Sequence, residues 1–243
     1  MRNRTILCFD LDGVLLDNTL LGFLKVNQIL VELKLPPVSP DFLREHWGKK
    51  MDDLADLICH LQGASKEQTA CFKKREKEIH PDYVFDRGLL RALVTLPQFG
   101  FLTAIITSRE EMDFRKYTRK IGLNPGIFHY IQTTDDYPCH KPNGNVFIPL
   151  INWAHDLGGG ATAENIVYFG DTIKYDYRAV INARLQGRPI KFVGVCSGIN
   201  TYKEFRDAGL EETEIIPSHD NLSFYLNRLI QERVREKKKQ KVS

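Results

Sequence analysis

The chain has 243 residues, of which 42% are hydrophobic and 27% are charged, values typical of a folded globular protein rather than a disordered one. This length fits one large domain, or one domain that carries a smaller insertion. No apolar run approaches the roughly 20 residues of a membrane helix, and the charged N-terminus has no signal-peptide core, so we expect a cytoplasmic protein.

The spacing of the cysteines and the distribution of charge argue against further classes of protein. The cysteines, at positions 8, 59, 71, 139 and 196, form no CxxC pair, so neither a zinc knuckle nor a disulfide framework is indicated. The net charge of +3 is uneven, because residues 228–243 alone carry +5. Since such runs are most often solvated helix ends, we expect the basic segment 232–243 to be a frayed tail, and nucleic acid to be an improbable partner.

Short apolar segments alternate with helical patterns along most of the chain. Strands rich in β-branched or aromatic residues are predicted at 5–11, 101–107, 128–134, 165–171 and 190–196. Helices are predicted at 86–100, 110–122 and 146–158, and the last two end in glycine, a favoured stop. This alternation predicts an α/β fold with a parallel, Rossmann-like sheet that helices cover on both faces.

The interval between the first two strands is about ninety residues long, far more than one crossover needs. It contains helical patterns of its own, at about 19–33, 40–46, 51–61 and 65–79. We therefore expect a small helical domain at residues 17–86, inserted into an α/β core that comprises residues 1–16 and 87–243.

Polar side chains follow the predicted strands at the points where ligands bind in parallel α/β sheets. In chain order the candidates are Asp10 and Asp12 after the first strand, Thr107, Ser108 and Arg109 after the second, Lys141 after the third, and Asp171 and Asp176 after the fourth. We expect these groups to converge on a single crevice.

Such a cluster of carboxylates would be strongly repulsive without a cation. Carboxylates without clustered histidines or thiols favour a hard ion, and Mg²⁺ fits best. Lys141 adds a positive charge and Thr107 a hydroxyl donor, and this set suits a dianionic phosphate. The sequence therefore predicts a site that binds Mg²⁺ together with a phosphate group.

Four segments together resemble the motifs of the haloacid dehalogenase-like (HAD) superfamily. They are "DLDGV" after an apolar strand, Thr107 at the end of the next strand, the lysine of "HKP", and "GDTIKYD", in the order found in that family. The helical insertion directly after the first motif is similar to the cap of subfamily I, which includes phosphoglycolate phosphatases and β-phosphoglucomutases. The resemblance spans about residues 5 to 200.

The resemblance implies a role for each motif residue. Asp10 would attack phosphorus, and Asp12 would protonate the leaving alcohol and then activate water, which requires a raised pKa at Asp12. Asp10, Asp171 and the backbone carbonyl of Asp12 would coordinate Mg²⁺, while Asp176 would either support the metal's waters or hold Lys141. Thr107 and Lys141 would bind the transferring phosphoryl group.

The insertion is expected to determine the substrate. Its segment "REHWGKKMDDL", residues 44–54, resembles the cap loop that faces the active site in subfamily I. Gly48 would allow a close backbone approach there, and Arg44, Lys49 or Lys50 could meet an acidic group of the substrate. Ser108 and Arg109, directly after the second motif, are further candidate substrate contacts.

These inferences predict a Mg²⁺-dependent phosphatase that hydrolyses a small phosphate monoester through an aspartyl-phosphate. The partner is then a small phosphorylated metabolite, with no membrane involved and a monomeric or homodimeric enzyme. Two alternatives stay open: a phosphomutase of the same family, and a catalytically silent binding protein that uses its basic tail.

Overall fold

The computed structural model describes residues 4–79, 83, 85–157 and 162–242. Its strands are β1 (Thr5–Phe9), β2 (Phe101–Ile106), β3 (Tyr130–Gln132), β4 (Ile166–Gly170), β5 (Lys191–Val195) and β6 (Ile215–Ile216). They form one parallel sheet in the order β3-β2-β1-β4-β5-β6. The expected α/β class is confirmed. Strand β6 was not predicted, because a segment of two residues is too short to show an apolar pattern.

The strand order explains where a ligand can bind. The chain winds outward from β1 through β2 and β3 on one side, and from β4 through β5 and β6 on the other. The point between β1 and β4, where the winding direction reverses, is the topological switch point at which parallel sheets form a crevice. A hydrogen bond of 2.9 Å from the Asp10 amide to the Phe169 carbonyl joins the two strand ends there.

The α-helices of the described ranges alternate with the strands as predicted. They are α1 (Thr19–Glu32), α2 (Pro40–His46), α3 (Met51–Leu61), α4 (Lys66–Glu78), α5 (Arg87–Thr95), α6 (Glu111–Lys120), α7 (Ile148–Asp156), α8 (Arg178–Leu185), α9 (Tyr202–Asp207) and α10 (Leu222–Val242). Of the described residues, none belongs to a helix with both the length and the apolar character needed to cross a bilayer.

Helices cover both faces of the sheet. The central strand β1 sends Leu7 and Phe9 into one hydrophobic cluster and Ile6 and Cys8 into the other, as the alternation of strand side chains requires. The first cluster is covered by α5, α6 and α10, and the second by α7, α8 and α9. Because β1 is buried on both faces, the polar residues that follow it emerge only at its carboxyl end.

Helices α1 to α4 form a hydrophobic cluster of their own. Its buried members include Phe23, Val26, Ile29, Leu30, Leu43, Leu54, Ile58 and Phe72, joined by Ile199 from the loop after β5. Local signals set the helix starts: Ser65 and Gln68 form a capping box at α4, and Ser39 caps α2. The limits of 17–86 for a separate domain stay a prediction.

The basic C-terminal segment is helical. It continues α10 as far as Val242, and the expectation that residues 232–243 form a frayed tail stays a prediction. Arg233 donates a hydrogen bond of 3.1 Å to Thr5 Oγ1, and its guanidinium lies 4.9 Å from the Phe101 ring centroid. Lys237 lies 5.6 Å from the Phe99 ring centroid. These contacts and a run of strong helix formers together extend the helix.

Candidate active site

The predicted site residues lie around the carboxyl ends of the central strands. One cleft between the sheet and helices α1, α3 and α4 is lined by Asp10, Asp12, Gly48, Lys49, Thr107, Ser108, Arg109 and Asp171, all of them predicted candidates. Lys141 and Asp176 join this group through direct contacts with Asp10 and with each other. The structure therefore brings together residues from four strand ends and from the helical insertion.

Lys141 is the central cation of the site. Its side chain is only 4% exposed, and Nζ lies 2.9 Å from Asp10 Oδ2 and 2.8 Å from Asp176 Oδ1. Nζ also donates a hydrogen bond of 3.2 Å to the Tyr168 hydroxyl. A buried lysine requires such partners, because an unpaired charge is costly in a low-dielectric interior. Tyr168 was not predicted, since within an apolar strand nothing distinguishes it from a packing residue.

Asp176 is committed to holding Lys141. Its Oδ1 accepts hydrogen bonds from Lys141 and from the Tyr168 hydroxyl, at 2.8 and 2.9 Å. Its Oδ2 accepts from the backbone amide and the hydroxyl of Thr172. A single π-helical turn over Ile173–Tyr177 places Asp176 for these contacts. Of its two predicted roles, this geometry supports the orientation of Lys141.

Asp10, Asp171 and Asp176 form a compact acidic cluster. All three are buried, and one carboxylate oxygen of each lies within 4.8 Å of the others. Burial raises the pKa of Asp10 to about 7, although Lys141 opposes this shift. Burial, reinforced by the charges of Asp176 and Asp10, raises the pKa of Asp171 well above its usual range. Both carboxylates would be stabilised in their ionised form by a cation.

The donor set fits Mg²⁺. Asp10 and Asp171 could hold the ion directly, because hard oxygen ligands are what Mg²⁺ prefers and the oxygens of Asp176 are already engaged. Gly13 brings the adjoining loop close to this point. With φ at +76°, it passes so near that an added Cβ would lie 2.1 Å from Asp171 Oδ2. The neighbouring Asp12 carbonyl, the predicted backbone ligand, belongs to the same loop.

The environment of Asp12 differs from the prediction. Arg109 holds its carboxylate with two hydrogen bonds of 2.7 Å, from Nε to Oδ2 and from Nη2 to Oδ1, and Asn18 Nδ2 donates to Oδ1 as well. Burial on its own would raise the pKa of Asp12, but the Arg109 charge and these hydrogen bonds hold it below its ordinary value. The expectation of a raised pKa was therefore wrong for this state of the protein, because it omitted the partner 97 positions along the chain.

The remaining candidates line the cleft or its rim. Thr107, buried at the end of β2, accepts a 3.2 Å hydrogen bond from the Arg109 amide through Oγ1. Gly48, with φ at +95°, packs its backbone on the Tyr175 ring, and an added Cβ would lie 2.6 Å from the ring. Lys49 and Lys50 line the cleft beside it.

Asn18 and Arg44 have partners that the sequence did not indicate. Asn18, which precedes α1, makes no capping hydrogen bond with its side chain and contacts Asp12 instead. Arg44, another cation considered from this loop, lies near Glu204. A hydrogen bond from the Thr201 amide is the largest effect that lowers the pKa of Glu204, and the positive charge of Arg44 lowers it further.

Known proteins resemble this chain over most of its length. Residues 7–187 match the family described as Haloacid dehalogenase-like hydrolase. A phosphoglycolate phosphatase of Xanthomonas campestris is 31% identical over 193 residues, which cover 78% of this chain and 82% of that protein.

Solved structures share the fold at low sequence identity. A HAD hydrolase of Entamoeba histolytica aligns with a TM-score of 0.67 and 16% identity, over 93% of this chain and 99% of that one. A β-phosphoglucomutase of Clostridium difficile aligns with a TM-score of 0.66 and 15% identity, over 97% and 98%. On the match over residues 7–187, the chain belongs to the haloacid dehalogenase-like hydrolase family.

Proposed function

We propose that this protein is a Mg²⁺-dependent phosphatase that hydrolyses a small phosphate monoester through an aspartyl-phosphate on Asp10. The observation that carries the proposal is the buried Asp10 carboxylate at the switch point of the sheet, 2.9 Å from Lys141 and clustered with Asp171. The similarity to a phosphoglycolate phosphatase supports the same class of substrate.

In the first half-reaction an Asp10 oxygen attacks phosphorus and the bond from phosphorus to the leaving oxygen breaks. Asp12 donates the proton that the leaving alkoxide needs. In the second half-reaction Asp12 takes a proton from water, and the water oxygen attacks phosphorus. Inorganic phosphate leaves, and the Asp10 carboxylate is regenerated.

Charge stabilisation comes from groups positioned before the reaction. Lys141 and Thr107 would hold the oxygens of the phosphoryl group, with Ser108 in the same turn. Mg²⁺, bound by Asp10, Asp171 and the Asp12 carbonyl, would neutralise charge on the phosphoryl group and on its carboxylate neighbours. Asp176 acts through Lys141, because its hydrogen bonds fix the ammonium group beside Asp10.

The helical insertion would serve as a cap over the cleft. Its loop at Gly48 rests on Tyr175, and Lys174 Nζ donates a hydrogen bond of 3.1 Å to the Glu45 carbonyl. These contacts link the insertion to the turn that carries Asp176. A cap in this position would exclude water and contact the leaving group, so residues such as Lys49 would influence the choice of substrate.

The proposal is tested by measuring release of inorganic phosphate from a panel of monoesters, in Mg²⁺ and in EDTA. We expect Mg²⁺-dependent release by the wild type and loss of release in Asp10→Asn. Asp207→Asn is the matched control and should keep full activity, because Asp207 is an exposed carboxylate on α9 and does not line the cleft. Absence of release from every ester by folded, Mg²⁺-loaded protein would overturn the proposal. Isomerisation of a sugar phosphate without net release would favour a phosphomutase instead.

A further inference from the structure

The helical insertion carries a buried ion pair in the wall of the cleft. Lys25 Nζ of α1 lies 2.6 Å from Glu76 Oε1 of α4, and the two side chains are only 12% and 15% exposed. Both residues line the cleft between the insertion and the sheet. A buried ion pair adds little net stability, because desolvation of the two charges offsets their attraction. The stability of the insertion alone therefore does not explain why a pair of charges lies here.

Both members of the pair keep unused hydrogen-bonding capacity. Among the described residues, the Lys25 ammonium has one hydrogen-bond partner for its three N–H groups, and Glu76 Oε2 has none. A group that both donates and accepts could bond to the two side chains without separating them. A carboxylate would instead be repelled by Glu76, and an ammonium by Lys25. The pair thus favours an uncharged group that contains a donor and an acceptor.

Helix α1 gives the distance from this pair to the catalytic end of the cleft. Asn18, Gly22 and Lys25 all line the cleft at intervals of four and three residues, so they lie on one side of the helix. Asn18 donates a hydrogen bond to Asp12, the proposed proton donor. Lys25 lies about 10 Å further along the helix axis, at the usual rise of about 1.5 Å per residue. The Lys25 side chain bridges part of this distance, and the leaving group must bridge the rest.

The wall between the two ends of the cleft is apolar. The ring of Trp47 lies against α1 at Gly22, where an added Cβ would be 2.4 Å from the ring. Val26, Met51 and Leu54 line the cleft as well. An aromatic and aliphatic wall suits the apolar faces of a ring in the leaving group.

We infer that Lys25 and Glu76 recognise the far end of the leaving group, which is uncharged and joins an apolar ring to a terminal hydrogen-bond donor and acceptor. This inference rests on the proposed function and adds to it a substrate class that is longer than phosphoglycolate and lacks its carboxylate. Lys25 and Glu76 are then specificity-determining residues, which act on the choice of substrate and not on phosphoryl transfer itself.

The test uses three benzyl phosphates that differ only in the para substituent, which is carbamoyl, carboxylate or methyl. The methylene group between ring and ester oxygen keeps their intrinsic reactivity similar. Steady-state kinetics in Mg²⁺ would be measured for the wild type, Glu76→Gln and the double variant Lys25→Met/Glu76→Met, with 2-phosphoglycolate as a fourth ester. Circular dichroism would establish that each variant is folded.

Lys73→Met is the matched control. Lys73 forms an ion pair of 2.7 Å with Asp56 within the same insertion, but this pair is 29% and 57% exposed and does not line the cleft. Its loss should leave the kinetics with all four esters unchanged.

For the wild type we expect kcat/KM with the carbamoyl ester to be roughly 10- to 100-fold above that with the carboxylate or methyl ester, the range of hydrogen bonds to charged groups. In Glu76→Gln the carboxylate ester should overtake the carbamoyl ester, because the Lys25 ammonium is then unpaired. In the double variant the ratio of carbamoyl to methyl ester should fall to about one. This variant leaves no stranded charge, so it carries the test if Glu76→Gln does not fold.

Three results would overturn the inference. They are equal kcat/KM values for the three benzyl esters in the wild type, a wild-type ratio that persists in the double variant, and an equal loss with all three esters, which would mark the pair as merely structural. Release from 2-phosphoglycolate but from none of the benzyl esters would also overturn it, and would leave the proposed function standing. Release from no ester at all would overturn the proposed function, and the inference with it.

Discussion

Replacement of Lys141 by methionine would remove the cation around which the site is organised. Methionine keeps much of the apolar stem, but its side chain ends before the position of Nζ and leaves Asp10 and Asp176 without the ammonium group that lies 2.9 and 2.8 Å from them. Lys141 is 4% exposed and Asp176 1%, so water cannot take over the lost contacts. Breaking a buried ion pair on one side costs about 3 to 5 kcal/mol, and we expect Lys141→Met to lose unfolding free energy in this range.

The assay is urea unfolding at neutral pH in EDTA, which excludes any contribution from bound metal. Lys203→Met provides the control, because Lys203 pairs with Asp207 on the exposed surface of α9 and should lose no measurable stability. The double variant Lys141→Met/Asp176→Asn should recover part of the loss, since one stranded charge is removed with its partner. A loss below about 1 kcal/mol in Lys141→Met, the range of an exposed pair, would refute this description of the site.

Three further measurements test separate parts of the structure. The pKa of Asp10 is raised from 3.8 to about 7. Between these two pH values the folded protein binds more protons than the unfolded chain, so the unfolding free energy of the metal-free protein should fall as the pH rises. Urea titrations should show this fall, with a smaller slope in Asp10→Asn, and a rise would contradict it. Gly48→Ala should lose about 1 to 2 kcal/mol of unfolding free energy because of its positive φ, and more because the added Cβ would clash with an aromatic ring. Gly63→Ala also has a positive φ but no neighbour within 4 Å, so it should lose only the contribution from φ. Equal losses would contradict the close contact. Arg233→Ala should lose about 0.5 to 1 kcal/mol by thermal unfolding, since its guanidinium lies over Phe101, and no loss would mean that the contact is not formed.

The repeating pattern of the chain predicted most of the fold. Strands buried on both faces, such as β1, are continuous apolar runs that end in polar residues, and this contrast is visible without a structure. The helices of the insertion were placed within a residue or two of their observed bounds, because apolar spacing marks them and Ser39 and Ser65 cap two of them. The basic run was interpreted as a solvated helix end, and its residues, which favour a helix, continue α10 as far as Val242.

The residues of the site could be predicted from the sequence, but the contacts between their side chains could not. Parallel topology places the ends of β1, β2 and β4 together, so Asp10, Thr107 and Asp171 could be grouped from sequence. Which cation meets which carboxylate depends on side-chain direction. Arg109 was considered a substrate contact, and the structure pairs it with Asp12, which reverses the expected pKa shift.

The central claim is that Asp10 carries the phosphoryl group during turnover. With an aryl phosphate, whose leaving oxygen needs no proton, Asp12→Asn should still form the intermediate but hydrolyse it slowly, because asparagine cannot take a proton from water, and so let the intermediate accumulate. After brief mixing with a ³²P-labelled ester in Mg²⁺ and acid quenching, we expect label that hydroxylamine releases, as for an acyl phosphate, in the peptide that contains Asp10. Label on another residue, or phosphate release in a single turnover with no labelled protein at any time, would contradict the account.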